Sequence, residues 1–125
     1  KRLMSVCHNE LMMILNSETG AVVAQVPIGK RVDGLVFDPK SKLAFSSNGE
    51  GTVTVVQEIS ANEFKVVETI KTEPGARTIA IDPKTQHIFL STAQYGTPPA
   101  ATAENPNPRA PVVPGTFMVL EYGKK

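Results

Sequence analysis

The chain has 125 residues, 41% of them hydrophobic, enough to fill the core of about one small domain. Its 13 basic and 12 acidic residues leave a net charge of +1, without the basic excess of a dedicated nucleic-acid binder. The lone Cys7 excludes an internal disulfide and a four-cysteine metal site, and no apolar run approaches the ~20 residues of a membrane-spanning helix.

β-branched and alternating segments, punctuated by turn residues every 8–12 positions, predict an all-β chain with no sustained helical period. Strands are expected at 3–7 and 11–15, then at 22–29 after a hairpin in which Gly20 is free to take positive φ. A short apolar strand at 35–37 runs into Asp38-Pro39-Lys40, where proline presets φ and the aspartate caps the turn through its side chain. Strands at 43–47 and 52–56 flank a hairpin holding Gly49 and Gly51. A longer polar loop is expected at 59–63, before a strand at 66–75. Strands at 79–81 and 88–92 enclose the turn Asp82-Pro83-Lys84-Thr85. The segment 93–115 breaks the pattern: it holds six of the ten prolines and is about 20 residues longer than the matching hairpin, so no hydrogen-bond ladder is expected to run through it. It reads as a surface excursion, with a lid or a partner-contacting loop as the sharper alternative. A last strand covers 116–120.

These elements repeat. VDGLVFDPK (32–40) and ARTIAIDPK (76–84) lie 44 positions apart, and Leu43-Ala44-Phe45-Ser46-Ser47 aligns with Ile88-Phe89-Leu90-Ser91-Thr92. With four strands a, b, c and d per unit, the chain reads b-c-d, a-b-c-d, a-b-c, which divides it at 1–31, 32–75 and 76–125. Four antiparallel strands in 40–45 residues fit a β-propeller blade, so about 2.5 blades are present. A β-sandwich can also hold ten strands, but the four-strand repeat argues against it. Because a closed propeller needs typically four to eight blades, the remaining blades of a longer protein, or another chain, are expected to complete the sheets.

The phrases VDGLVFDPKSKLAFSSNGEGTVTVV and GARTIAIDPKTQHIFLSTAQYG resemble the YVTN-repeat (YncE-like) β-propellers, and TPPAATAENPNPRAPVVPGTFMVLEYG resembles the end of secreted bacterial members. The resemblance covers essentially the whole chain, although the family's Tyr-Val-Thr-Asn word is degenerate in Ala44-Phe45-Ser46-Ser47-Asn48. It implies the C-terminal portion of a seven-bladed, exported protein, periplasmic or secreted, whose last outer strand comes from the N-terminal region. The abrupt Lys-Arg start, with no signal peptide, agrees with a chain that begins mid-structure.

In a propeller, the d–a and b–c loops converge at one channel face. The binding candidates there are Arg31, Asp33 and Arg77, with His8, Asn9, Asn48 and Tyr95. Arg31 and Arg77 precede successive inner strands and present planar forks suited to carboxylate or phosphate, unless each pairs with Asp33, Glu73 or a neighbouring blade. His8 with Glu10 falls short of the three protein ligands of a catalytic zinc. The repetition of Asp38 and Asp82 points to turn structure, since a catalytic group needs to occur once. GEG at 49–51 lacks the Lys-Ser/Thr and helix of a phosphate loop, and there is no Gly-x-Ser-x-Gly elbow. No catalytic residue, metal site or cofactor is assigned. The expected function is an extracytoplasmic binding or scaffold propeller that takes a small anionic ligand or a protein at its channel face. The alternative is part of a lactonase-like hydrolase or a quinone-dehydrogenase-like propeller.

Overall fold

The computed structural model describes residues 1–124, which form ten strands and no helix. β1 (Arg2–Cys7), β2 (Leu11–Asn16) and β3 (Val22–Pro27) make a first sheet in the order β1-β2-β3. β4 (Val32–Asp38), β5 (Leu43–Asn48), β6 (Thr52–Ser60) and β7 (Glu63–Lys71) make a middle sheet in the order β4-β5-β6-β7. β8 (Arg77–Ile81), β9 (Ile88–Thr92) and β10 (Met118–Tyr122) make a third, in the order β8-β9-β10. Every neighbouring pair is antiparallel. The strands group three, four and three, as the repeat predicts. Among the described residues no helix is long and apolar enough to cross a membrane.

The middle sheet is covered on both faces. Side chains alternate sides along a strand, so Leu43, Phe45, Val53 and Val55 face the third sheet and pack on Ile79, Ile88 and Leu90. Ala44 and Val56 face the other way, onto Met12, Ile14 and Val26 of the first sheet. All six residues of β5 are buried. This two-sided burial is why β5 shows no apolar–polar alternation.

The register corrects one alignment. Phe37 pairs with Ala44, and Ile81 pairs with Ile88. Ala44 and Ile88 are thus the equivalent residues, so the offset stays at 44 through strand b, and the alignment of Leu43 with Ile88 is one residue out. A slip of one would move every side chain to the opposite face. Unbroken apolarity at 43–45 hides that error from the sequence.

A second correction concerns 59–63. β6 runs to Ser60 and β7 starts at Glu63, so only Ala61 and Asn62 turn. The β6–β7 ribbon extends outward, with Glu58 paired to Phe64. Arg2 clamps the turn through hydrogen bonds to Ala61 O at 2.5 Å and Asn62 Oδ1 at 2.7 Å.

At the opposite ends of the inner strands, Asp38 and Asp82 are turn caps, as their repetition implies. Asp38 is buried and accepts from the Ser41 hydroxyl at 2.5 Å, from the Lys40 and Ser41 N–H groups at 3.1 Å, and from the Gln86 amide of the next sheet. These bonds, the Ser41 hydroxyl foremost, outweigh burial and hold its pKa down to about 2. Asp82 is lowered in the same direction, chiefly by the Lys84 N–H and then by the Thr85 hydroxyl. Both folded values lie below the ordinary one, so the stability they contribute is present above about pH 4 and lost as pH falls towards 2. Urea midpoints measured from pH 7 down to 2 are expected to fall over that window, and to fall less in Asp38→Asn.

Two concavities flank the free edges of the outer sheets. A cleft of about 440 Å³ lies beside β10, between Phe45 and Ile70 of the middle sheet and Ile88 and Tyr122 of the third. Another, of about 560 Å³, lies beside β1, against Leu35 and Phe37. Apolar side chains in their linings continue the two cores.

Candidate functional site

Five loops from the three sheets meet along one rim, at the end of the sheets opposite the aspartate turns. They are 8–10, 28–31, 49–51, 72–76 and the start of the excursion after β9. Hydrogen bonds tie each to the next, the first four loops through the backbone. Ile28 N–H donates to Glu10 O at 3.0 Å and Gly49 N–H to Arg31 O at 2.8 Å. Thr72 N–H then reaches Gly51 O at 2.7 Å, and Gly75 N–H reaches Gly49 O at 2.9 Å. The Thr92 hydroxyl closes the row on Pro74 O at 3.1 Å. Below the rim the inner strands approach closely: a Cβ on Gly34 would lie 3.2 Å from Ile79 and 3.3 Å from Thr78.

Arg31 sits in the left-handed region at φ 56°, and its equivalent 44 residues on is Gly75 at φ 73°. Its Nη2 donates to Gly49 O at 3.1 Å, so its backbone and side chain both grip the 49–51 hairpin. One of its five donors is used, and the guanidinium is exposed and makes no ion pair among the described residues. Arg77 differs. It is the equivalent of Asp33, not of Arg31, and Nη1 of Arg77 lies 3.7 Å from Asp33 Oδ1. The Thr78 hydroxyl donates to the other oxygen of Asp33 at 2.7 Å. Successive repeats thus carry opposite charges at one position and pair across the gap between sheets. The pair is solvent-exposed, so it contributes about 0–1 kcal/mol.

The structure places Asn48 beneath the rim. It is fully buried, and its amide donates to Thr52 Oγ1 at 3.0 Å and Thr54 Oγ1 at 2.9 Å. Thr54 Oγ1 in turn accepts from Gly29 N–H at 3.1 Å. A Cβ on Gly29 would fall 2.5 Å from the Asn48 amide nitrogen, so Gly29→Ala is expected to lower stability by about 1–3 kcal/mol in chemical denaturation.

His8 and Asn9 are exposed in the first loop, and Glu10 beside them has φ 67°. No group of three or more His, Cys, Asp or Glu is placed to share a metal ion among the described residues. Tyr95 is 45% exposed, and its ring packs over Gly75, where an added Cβ would lie 3.0 Å from Cε2. The rim therefore gathers Arg31, the Asp33–Arg77 pair, His8, Asn9 and Tyr95, and leaves Asn48 beneath it. Sequence reasoning does not single out Gly75 and Thr78. The 44-residue offset that makes Gly75 the equivalent of Arg31 is the signal that identifies the first. No family model matches the chain, and no curated protein matches it.

Proposed function

We propose that the three sheets are successive blades of an extracytoplasmic β-propeller of the YVTN-repeat type, and that the rim is its binding face, for a small anionic ligand or an acidic protein surface. The observation that carries this is the continuous row of five loops, tied edge to edge by hydrogen bonds across three sheets, with β4–β5 and β8–β9 in 44-residue register. Such a row gives side chains from separate repeats a common frame. Within it Arg31 offers a positioned, unpaired guanidinium, a planar fork that carboxylate and phosphate accept bidentately. Arg77 is already engaged by Asp33 and supports the rim more than it recruits charge. The blade reading also accounts for the apolar clefts beside β1 and β10, where further strands complete the outer sheets.

Titration calorimetry with inorganic phosphate and with succinate, at two salt concentrations, tests the binding face. Saturable, salt-weakened binding is expected, and Arg31→Ser is expected to reduce it about tenfold, in keeping with a charge-assisted hydrogen bond. Equal affinity in wild type and variant, or no binding of either anion, refutes the role given to Arg31.

A further inference from the structure

The rim leaves one large feature unused. Between β9 and β10 the chain makes a finger whose base is stapled shut. Gly96 N–H donates to Pro111 O at 2.8 Å, Val113 N–H to Gln94 O at 2.9 Å, and Gln94 N–H to Thr116 Oγ1 at 3.0 Å. The bridge between Tyr95 and Val112, with the Tyr95 ring on Gly75, fixes this base to the rim. Beyond it, residues 97–110 carry no strand. They reverse direction at Thr102 and Asn105, which bond each other through backbone and hydroxyl at 3.0 Å.

The chemistry of the tip is narrow. Its apolar side chains are Pro98, Pro99, Pro106 and Pro108 with four alanines, and its only charges are Glu104 and Arg109. Nearly all of it is exposed, so these prolines fill no core. They lack N–H donors, which rules out pairing along an added β-strand. Exposed proline runs instead favour extended polyproline II geometry, whose ridge of rings docks against stacked aromatic side chains at low entropic cost. The stapled base lowers that cost further, because the segment is held away from the sheets before any partner arrives.

We infer that the 97–110 finger is a presented proline-rich ligand, taken by a protein domain whose groove is lined with aromatic side chains. The inference rests on the rim reading only for the finger's position beside that face. The test titrates a panel of isolated SH3 and WW domains against the full chain and follows backbone NMR signals. At least one domain should bind saturably and shift 97–110 while leaving the 28–31 and 49–51 loops unmoved. Replacing Pro98, Pro99, Pro106 and Pro108 together by alanine should weaken binding about tenfold or more, since each proline restricts the free chain. A synthetic peptide of residues 97–110 should compete with the full chain, a readout that does not depend on how the variant folds. No binding at up to about 1 mM domain, or equal binding by the variant, overturns the inference. A variant that alters phosphate affinity at the rim while no domain binds also overturns it, and makes the finger a lid. Phosphate affinity measured on the same samples keeps failure here separate from failure of the rim.

Discussion

Asn48→Ala is expected to lower the unfolding free energy by about 3 kcal/mol. The side chain is fully buried and ties together two strands and a loop: Thr52 and Thr54 on β6 accept its amide hydrogens, and Ser46 on β5 lies 3.3 Å from its carbonyl oxygen. Truncation takes the acceptor from the buried Ser46 hydroxyl and two donors from the threonines, and an unsatisfied buried group costs about 1–3 kcal/mol before the cavity is counted. The loss should appear as a lower urea midpoint with an unchanged slope. Asn48→Asp should be worse at neutral pH, because the new carboxylate is buried with no cation beside it. If the rim binds anions through Arg31, phosphate affinity measured well below the melting temperature should barely change in Asn48→Ala. A large affinity loss with little destabilisation would return Asn48 to the binding surface.

Leu90→Ala is expected to cost about 3–4 kcal/mol, within the 2–5 kcal/mol range of buried leucine truncations. Leu90 on β9 is 2% exposed and belongs to the cluster joining the third sheet to Leu43, Phe45, Val53 and Val55. Sheets that touch only their neighbours melt partly by themselves. The variant should therefore show faster amide exchange across β8–β10 while β1–β6 stay protected. Phe117→Ala provides the contrast: at 72% exposure it should change stability by less than about 0.5 kcal/mol. Uniform loss of protection in Leu90→Ala would mean that the three sheets unfold as one unit.

Ten strands, their grouping and the two aspartate turns were legible because turn chemistry is local: proline and aspartate specify a turn whatever surrounds it. The alignment slip at 43–47 came from tertiary context, since a strand buried on both faces erases the alternation that fixes register. The loop expected at 59–63 shrank to Ala61 and Asn62 because pairing to β7 overrode local polarity. The rim was legible as a set of loops but not as a set of partners. Nothing in the spacing distinguishes a free Arg31 from an engaged Arg77; that depends on an offset placing Asp33 and Gly75 at the matching positions. The burial of Asn48 is hidden from the sequence for a related reason. Asn beside Gly at a hairpin looks exposed in sequence, and only the thread from Gly29 through Thr54 shows that it points inward.

The interval of 44 residues between β4–β5 and β8–β9 makes this part of the chain a reading frame in space. Splicing a second copy of 32–75 after Gly75 should be conservative, because the one new junction, Gly75–Val32, keeps the form of Arg31–Val32 and Gly75–Ala76: a left-handed residue followed by an apolar one. The duplicate would offer Ala44 and Val56 backwards and Phe45 and Val55 forwards, as the original does. A single residue added within a strand would act in the opposite sense, as a frameshift: all side chains downstream in that strand would exchange faces, and two cores would be lost together. Length changes in this chain are therefore tolerated in whole periods or at loop tips, and nowhere between.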